Sequence, residues 1–427
     1  MKKIILKILA IFARAIIKKY KPKIVGITGS VGKTGTKEFI TLVLSNRFRV
    51  RSSIKNYNNE FGLPLSIIGR ESPGKNFWGW LKVFYEAKRL LLFKDRNYPE
   101  ILVLEMGIDR SGDMDYLLSI VKPDIGVITN ISHSHVEYFG SLEKIKKEKI
   151  KLVKNLKKDG LAVLNFDNKY LKDASPELKS KAFYYGTNDG ADFLAKDISF
   201  SLSGDLLSDS FCGINFKLEH GGSVVPIILP RAISFSSIYS SLAALVVGFH
   251  LGLNLIEMAG YLNKIYPLPG RMNILLGLKN SVLIDDTYNS SPESALSALE
   301  TLKNISTKNR KIVILGDMLE LGHYTEEGHQ LVGQKVAEIK ADLLVLIGER
   351  ARDIGRGAKE KGFNPDNIFV FPNVSSSKDF VKDRISSNDI VLLKASQGVR
   401  LEKLVKEIMN NSSQAEELLV RQDSQWS

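Results

Sequence analysis

The chain contains almost no cysteine. Its 427 residues include one, Cys212, so an internal disulfide framework and a cysteine-based metal site are both excluded. No secretory signature precedes the first predicted strand, and we therefore expect a reducing, cytoplasmic location. The hydrophobic fraction of 44% and the charged fraction of 25% are typical of a globular protein, and the length predicts two or three domains.

Acidic residues are absent from the first 23 positions. That segment, MKKIILKILAIFARAIIKKYKPK, carries seven lysines and one arginine. On a helix, Lys3, Lys7, Arg14 and Lys18 share one stripe, because spacings of four and seven residues return to the same face. The apolar run is too short and too interrupted to span a bilayer. We therefore expect a basic amphipathic helix over residues 1–22 that packs its apolar side on the next domain, with peripheral contact with a membrane surface as the alternative.

The net charge of +13 raises the question of anionic partners. Lysine is spread over the predicted helix faces and the sequence has no recognised nucleic-acid-binding motif, so we expect no nucleic acid partner. The aromatic stretch FWGWLKVFYEAKRLLLF, Phe77–Phe93, is typical of a helix in the core or at a subunit contact, and a lipid-facing helix is the alternative. We expect a monomer.

Short apolar runs alternate with helical segments from Lys23 to about Val163. The runs KIVGITG, ILVLEMG, DIGVITNI and LAVLNFD are typical of buried strands, and their alternation with helices predicts a parallel sheet with ligands at the carboxyl ends of its strands. Short alternating runs between residues 180 and 230 predict a small β-rich subdomain. After a hinge at Pro267 and Pro269, a second series of strands and helices predicts another α/β unit.

The predicted fold class is therefore α/β. We expect a central parallel-sheet P-loop ATPase domain with a small β-rich subdomain at residues 23–268, followed by a C-terminal Rossmann-like α/β domain at residues 269–411. The remaining residues, 412–427, are mostly polar, and we expect them to form a frayed tail.

The segment VGITGSVGKT is predicted to bind a nucleotide phosphate. It follows a predicted strand and precedes a predicted helix, and its glycines turn backbone N–H groups toward an anion at the helix N-terminus. Lys33 would reach the β- and γ-phosphates, and the Thr34 hydroxyl would bind Mg²⁺. The spacing departs from the standard pattern, because Ile27 stands where that pattern has glycine. The residues expected to contact the phosphates are Thr28, Gly29, Ser30, Gly32, Lys33 and Thr34.

The loop form GITGSVGKT resembles that of the Mur ligase superfamily, which folylpolyglutamate synthases share. Further segments occur in the order expected for that superfamily: NYNNEFGLP, LEMGIDRSGDM, TNISHSHVEYFGS, LPGRMN, IDDTYNSSPES, ILGDMLELG and LLKASQGVRLE. Together they resemble the branch that joins D-alanyl-D-alanine to UDP-MurNAc-tripeptide, over about Lys23 to Ile408. The resemblance implies an ATP- and Mg²⁺-dependent ligase that activates a carboxylate as an acyl phosphate, with a nucleotide-linked muropeptide and a dipeptide as substrates.

The resemblance also implies roles for particular residues. Lys149 matches the lysine that the family carbamylates, and Lys147 lies two residues before it. The implied catalytic residues are Lys33, Lys149, His135 and Arg271. The implied metal ligands are Thr34, Glu105, His135 and a carbamylated Lys149. The implied nucleotide contacts beyond the phosphate loop are Asn165 near the adenine, Arg271 at the γ-phosphate, Asp286 at the ribose and Tyr288 near the base. The residues expected to contact the other substrates are Asn58, Asn59, Asn289, Lys394 and Ser396.

The sequence departs from the family pattern at several points. Only about 23 residues precede the first strand, where the family has a domain that holds the uridine nucleotide, so the acceptor is left open. Gly35 follows the phosphate-loop threonine, Ser236 and Ser240 replace a histidine and an asparagine, and Ala395 replaces a glycine. Two alternatives therefore stay open: an amide ligase of the same type for another peptide or polymer, and a non-catalytic nucleotide-binding scaffold.

Overall fold

A computed structural model describes residues 2–53, 58–132, 136–173, 178–203, 212–305 and 307–422. Over these residues the strands form two sheets, one of nine strands and one of six. The first sheet contains β1 (Lys23–Thr28), β2 (Val50–Ser52), β3 (Ile101–Glu105), β4 (Ile125–Ile128), β5 (Leu161–Asn165), β6 (Lys181–Gly186), β7 (Phe193–Ser203), β8 (Cys212–His220) and β9 (Ser223–Leu229).

The first sheet has the strand order β2-β3-β1-β4-β5-β6-β7-β8-β9. Its strands are parallel from β2 to β7, as the alternation of strands and helices predicts. All residues of β3, β4 and β5 are buried, because helices cover both faces of the sheet. These helices are α1 (Lys2–Tyr20), α2 (Lys33–Ser45), α3 (Gly62–Ile68), α4 (Phe77–Leu92), α5 (Asp113–Ile120), α6 (Val136–Phe139), α7 (Leu142–Lys154), α8 (Lys169–Lys172), α9 (Phe235–His250) and α10 (Leu255–Leu262).

The predicted β-rich segment lies at the far edge of this sheet. Strand β8 is antiparallel to both of its neighbours, β7 and β9, and the three strands continue the central sheet. In β9 every second residue is buried, from Val225 to Leu229, which is the pattern of a strand with one face toward the core. The β-rich segment predicted from the sequence is therefore present, and backbone hydrogen bonds join it to the parallel part.

The second sheet contains β10 (Asn273–Leu276), β11 (Val282–Asp286), β12 (Lys311–Gly316), β13 (Leu343–Ile347), β14 (Ile368–Phe371) and β15 (Ile390–Lys394). Its strand order is β10-β11-β15-β12-β13-β14. All its neighbouring strands are parallel except the edge pair β10 and β11. Strands β11 to β15 confirm the five apolar runs that the sequence predicts as strands after Pro269, which are SVLIDD, KIVILGD, DLLVLIG, NIFVF and DIVLLKAS, whereas β10 is not among those runs. The helices of this half are α11 (Pro292–Asn304), α12 (Thr325–Glu338), α13 (Arg352–Glu360), α14 (Val374–Arg384), α15 (Glu402–Ile408) and α16 (Ala415–Leu418).

The N-terminal helix α1 packs on the first sheet's outer helices. Leu9, Ala13 and Ile16 have no exposed surface and join the cluster that lies over one face of the sheet. Their spacing of three and four residues places them on one side of the helix, and α1 contacts α3, α4 and α5 there. The predicted packing of the apolar side is confirmed. Among the helices that the structure describes, none combines the length and the apolar character needed to cross a membrane.

The polar C-terminal tail is folded as far as the structure describes it. Ala415 and Leu419 are 2% and 4% exposed and pack against the second sheet's core. The prediction of a frayed tail from residue 412 is therefore wrong up to Gln422. The apolar residues of this segment are few, but the burial of Ala415 and Leu419 outweighs its polar composition.

We expect Ile16→Ala to destabilise the protein by about 2–5 kcal/mol, because it opens a cavity in a fully buried cluster. Ile11→Ala on the same helix is the matched control. Ile11 is 57% exposed, and its truncation should change the free energy of unfolding by about 0.5 kcal/mol or less. Urea denaturation of the two variants measures the difference, and equal effects would contradict the observed packing.

Candidate active site

A cavity of about 590 Å³ lies between the two sheets. The first half lines it with the loop after β1, the end of β3 and the start of α9, and the second half lines it with the segment 265–272 and the loop after β11. The carboxyl ends of β1, β3 and β4 therefore open toward it, as expected for a ligand site in a parallel sheet. Both halves of the chain contribute polar groups.

The phosphate loop follows β1 directly. Ile27 is fully buried within the strand, so the loop begins only after Thr28. Gly29 and Gly32 have φ angles of 152° and 84°, which L side chains rarely adopt. A β-carbon on Gly29 would lie 1.9 Å from Thr129 Oγ1, so only glycine fits there. Helix α2 begins at Lys33, and its N-terminal N–H groups therefore border the cavity.

Lys33 folds back over its own loop. Its Nζ donates to the carbonyl oxygen of Gly29 at 2.7 Å and to that of Ser30 at 3.3 Å. Burial lowers the pKa of Lys33, the negative charge of Glu105 opposes that change, and the nearby Arg271 adds to it. In this structure two carbonyl oxygens are the hydrogen-bond acceptors of the Lys33 ammonium. A phosphate bound in the loop would offer it a full negative charge instead.

Glu105 ends β3 beside the phosphate loop and is 2% exposed. Its Oε2 accepts a hydrogen bond from Thr34 Oγ1 at 3.1 Å, and its Oε1 accepts one from Asn58 Nδ2 at 3.1 Å. A carboxylate and a hydroxyl at this spacing are the oxygen donors that Mg²⁺ prefers. The residues therefore fit one magnesium ion, whose remaining ligands would come from phosphate and water. Within the described ranges, no group of three or more His, Cys, Asp or Glu side chains is arranged so that it could hold a metal ion.

Lys149 lies on the buried side of α7 and is 2% exposed, whereas Lys147 on the same helix is exposed. Burial lowers the pKa of Lys149 well below its usual range, and the positive charge of Lys33 acts in the same direction. The adjacent Glu148 is engaged elsewhere, because its Oε1 accepts from the backbone N–H groups of Gly112 and Met114. The exposed Lys147 does not share this environment.

Arg271 connects the two halves of the site. It follows Pro267 and Pro269, and its Nη2 donates to Thr34 Oγ1 at 3.2 Å. The guanidinium carbon lies 4.0 Å from the centre of the Tyr288 ring, within the range of a cation–π contact. A cation from the second half thus reaches the phosphate loop of the first.

The loop after β11 is held by buried carboxylates. Asp285 accepts from the backbone N–H of Gly270 and from the N–H and hydroxyl of Thr287, and burial raises its pKa to about 6. Burial also raises the pKa of Asp286, whereas the Lys394 ammonium opposes that change, with Nζ 2.6 Å from Asp286 Oδ2. Asp286 therefore lines the cavity as one member of an ion pair with Lys394.

Lys394 and Ser396, predicted to contact a substrate, hold the same loop. Lys394 Nζ donates to the Asn289 carbonyl at 2.8 Å. Ser396 Oγ donates to the Ser290 carbonyl at 3.1 Å and accepts from the Leu319 N–H at 2.9 Å. Lys394 and Asn289 line the cavity, whereas the hydroxyl of Ser396 is engaged with backbone groups.

The remaining predicted residues are divided between the cavity and its supports. Asn165 lines the cavity and donates from Nδ2 to the Thr129 carbonyl. Asn59 Oδ1 accepts from the N–H groups of Phe61 and Gly62 at the start of α3, and it borders a second cavity of about 620 Å³. His135 lies outside the described residues.

Three of the departures from the family pattern, Gly35, Ser236 and Ser240, lie together where α2 meets α9. Ser236 and Ser240 line the cavity, and Ser240 Oγ is 3.1 Å from Thr36 Oγ1. A β-carbon on Gly35 would lie 3.3 Å from Ser240 Oγ, which is a tight contact. Glycine at 35 and serine at 240 therefore allow the two helices to approach closely.

The sequence prediction missed Arg421, which supports the site from the C-terminal segment. Its guanidinium donates to the carbonyl oxygens of Thr287 and Tyr288 at 2.6 and 3.0 Å, and Nη2 lies 2.8 Å from the buried Glu402. It thereby supports the loop that presents Tyr288. No sequence signal marks this residue, since an arginine in a polar tail is ordinarily solvated.

Together, the two α/β sheets, the glycine-containing phosphate loop and the cations from both halves define a nucleotide-phosphate-binding protein with its site between two units. The model of the Mur ligase middle domain matches residues 85–222, and that of the Mur ligase, glutamate ligase domain matches residues 270–397. The chain belongs to the Mur ligase family.

Curated relatives share the UDP-N-acetylmuramoyl-tripeptide–D-alanyl-D-alanine ligase name. That of Synechocystis is 31% identical over 90% of this chain and 74% of its own length. That of Bacillus subtilis is 29% identical over 93% of this chain and 78% of its own length. Among solved structures, the MurF ligase from Thermotoga maritima in complex with ADP has a TM-score of 0.77 and 27% identity, over 94% of this chain and 83% of that chain.

We expect Arg421→Gln to loosen the loop after β11, because the buried Thr287 carbonyl loses its charged donor. The free energy of unfolding should fall by about 1–3 kcal/mol, and amide hydrogen exchange at residues 287–290 should become faster.

Arg400→Gln is the matched control, since Arg400 also pairs with Glu402 but touches neither carbonyl. Its exchange at residues 287–290 should remain slow. If both variants accelerate exchange in this loop equally, Arg421 has no specific positioning role.

Proposed function

We propose that this chain is an ATP-dependent ligase that joins a carboxylate to an amine, with UDP-MurNAc-tripeptide and D-alanyl-D-alanine as its substrates. The observation that carries the proposal is the convergence of Lys33, Thr34 and Glu105 with Arg271 at the phosphate loop. Residues 23–268 and 269–411 would be the two domains that close on the substrates, and the names of the curated relatives support the substrate pair.

The chemistry requires activation of an unreactive carboxylate. One of its oxygens bonds to the γ-phosphorus of ATP as the bond from that phosphorus to the β–γ bridging oxygen breaks, giving an acyl phosphate and ADP. The amine then attacks the acyl carbon. The carbon–oxygen bond to phosphate breaks, and the ammonium proton passes to solvent as the amide and inorganic phosphate form.

Charge repulsion is the main obstacle to the first step, because an anionic carboxylate approaches a triphosphate. Lys33 and the N-terminus of α2 would neutralise the β- and γ-phosphates. Arg271 lies 3.2 Å from Thr34 Oγ1, which places its positive charge at the same end of the loop. Together they would stabilise the charge that develops on the transferred phosphoryl group.

Thr34 and Glu105 would hold Mg²⁺. A magnesium ion there supplies positive charge to the phosphate oxygens and helps to orient them. Asn58 orients the carboxylate through its hydrogen bond to Glu105 Oε1, and this supporting contact fixes the direction of the oxygen that faces Thr34.

Lys149 is proposed to carry a carbamate. Its burial beside Lys33 favours a neutral amine, which can attack CO₂. A nitrogen–carbon bond forms, one proton is released, and the product is an anionic carbamate. That group would convert a repulsive pair of lysines into an attractive one and would present oxygen atoms to a second metal, with His135 as the other proposed ligand.

The second cavity provides space for a second substrate. It has a volume of about 620 Å³ and shares Gly107 and Asp109 with the first. Asn59 lies in the second cavity, whereas Asn58, Asn289 and Lys394 line the first. We propose that these residues contact the muropeptide and the dipeptide, and that Asn165, Asp286 and Tyr288 contact the nucleoside.

The function is tested by phosphate release from ATP. We expect release to require both UDP-MurNAc-tripeptide and D-alanyl-D-alanine, and Lys33→Ala to reduce kcat about 10²–10³-fold. Release with another peptide acceptor, and not with this pair, would identify a ligase of different specificity. Nucleotide binding without release under any acceptor would instead favour a scaffold.

Lys149→Ala is expected to abolish most of the activity, whereas Lys147→Ala on the exposed side of α7 should retain it. Removal of CO₂ and bicarbonate should reduce the wild-type rate reversibly, since the carbamate is lost. ¹³C NMR with labelled bicarbonate should give a carbamate signal in wild type and in Lys147→Ala, but not in Lys149→Ala. A signal that persists in Lys149→Ala would refute this assignment.

A further inference from the structure

Helices α1 and α4 form a continuous outer surface of the first half. Phe12 of α1 and Phe84 of α4 contact each other, with ring centres 6.2 Å apart. At the C-terminal end, Lys19 Nζ donates to the carbonyl oxygens of Leu90 and Phe93 at 2.8 and 3.0 Å. The two helices therefore run side by side in the same direction, and their outer faces adjoin.

This surface is unusually apolar for one exposed to water. Eight of the seventeen large apolar side chains that are exposed among the described residues lie on α1, on α4 or directly after α4. On α4, Trp78, Leu81, Tyr85 and Leu92 recur at helical spacing and are 43–75% exposed. A single exposed apolar residue needs no explanation, but a row of them indicates an interaction surface.

Basic residues lie on the same surface. On α1, Lys7, Arg14 and Lys18 are exposed along one stripe together with Ile4 and Ile11. Residues 1–23 contain no acidic residue.

On α4, Lys82 and Lys88 are exposed. The one acidic residue of this helix, Glu86, is held by Arg89 and Arg70 at 2.7 and 3.0 Å. The surface is therefore both apolar and strongly positive.

The charge decides which partner fits. A second copy of the chain would bring two positive surfaces together, which is unfavourable. An anionic lipid surface offers the complementary charge to the lysines, and its interfacial region accepts exposed Trp and Tyr side chains. A helix that lies in the interface needs no membrane-spanning length.

We propose that the surface formed by α1 and α4 binds an anionic lipid bilayer peripherally. The aromatic and aliphatic side chains of α4 enter the interfacial region, and the exposed lysines and arginine of α1 and α4 contact the lipid headgroups. Attachment is reversible and depends on salt, because part of it is electrostatic. The inference is independent of the ligase reaction and stands if that proposal fails.

Vesicle flotation of the full chain tests the proposal. We expect binding to vesicles of phosphatidylcholine mixed with phosphatidylglycerol, much weaker binding to pure phosphatidylcholine, and release as salt rises from about 0.1 M to about 1 M, where the screening length falls to about 3 Å.

The charge-reversal variant Lys7→Glu/Lys18→Glu/Lys88→Glu should weaken partitioning roughly ten- to a hundredfold. The apolar variant Trp78→Ser/Leu81→Ser/Tyr85→Ser should also lose binding at low salt.

Matched controls use residues that are also exposed but lie on other surfaces of the chain. Arg352→Glu/Lys359→Glu/Lys361→Glu removes the same charge from α13 and its C-terminal end, and Leu331→Ser/Ile256→Ser/Val370→Ser removes exposed apolar groups from other surfaces. Both controls should bind vesicles like the wild type. All the substituted side chains are exposed, so circular dichroism and thermal unfolding should stay unchanged, and the charge-reversal variant remains informative if the apolar one misfolds.

Three results would overturn the proposal. They are the absence of flotation with anionic vesicles, equal loss of flotation in the matched controls, and a concentration-dependent dimer in sedimentation that only the α4 variant disrupts. The third would show that the surface joins two copies of the chain instead.

Discussion

The hydrogen bond from Arg271 to Thr34 is the contact on which the site depends. It joins a residue just after Pro269 to the phosphate loop of the other half, across 237 positions of sequence. The Tyr288 ring lies against the same guanidinium, and Arg421 holds the loop that carries Tyr288. A series of contacts therefore runs from the C-terminal segment to the phosphate loop. A movement between the two halves would alter these contacts, because they bridge the two parts that move.

Burial of like charges is the second constraint. Burial lowers the pKa of both Lys33 and Lys149, and the positive charge of Lys33 lowers that of Lys149 further. In the second half, burial raises the pKa values of Asp285 and Asp286. Burial of these ionisable groups costs free energy. They stay buried because the surrounding sheets and hydrogen bonds hold them in place. Such environments occur preferentially at functional sites, and here Lys33 and Asp286 line the same cavity.

The outer surface of α1 and α4 is exposed because each helix buries only one of its sides. Each helix uses one side to cover the first sheet, through residues such as Leu9 and Ile16 on α1 and Val83 and Ala87 on α4. The opposite sides carry basic residues on α1 and aromatic residues on α4. From the sequence alone, packing on the next domain and membrane contact are the alternatives for residues 1–22. For Phe77–Phe93 the alternatives are a helix in the core or at a subunit contact and a lipid-facing helix. In the folded chain each helix packs on the core by one side, and the opposite side stays exposed.

Local sequence patterns determined much of this protein's fold and the place of its nucleotide site. Buried strands of Ile, Val and Leu, the glycines of the phosphate loop and the order of the motifs were sufficient to predict two α/β units with a nucleotide site at strand ends, because hydrophobic periodicity and turn chemistry act over a few residues.

Lys149 shows the limit of that reasoning. Its place in a run of lysines is ordinarily a solvated helix face, and the family resemblance was needed to choose it over Lys147. Strand β10 pairs with the next strand, β11, whereas the ordered tail and Arg421 depended on partners far away in sequence. Their stability comes from contacts that exist only after the second sheet has formed, such as the salt bridge to Glu402 and the two loop carbonyls. Tertiary structure alone decided which charges are buried, because burial depends on what the rest of the chain places over them.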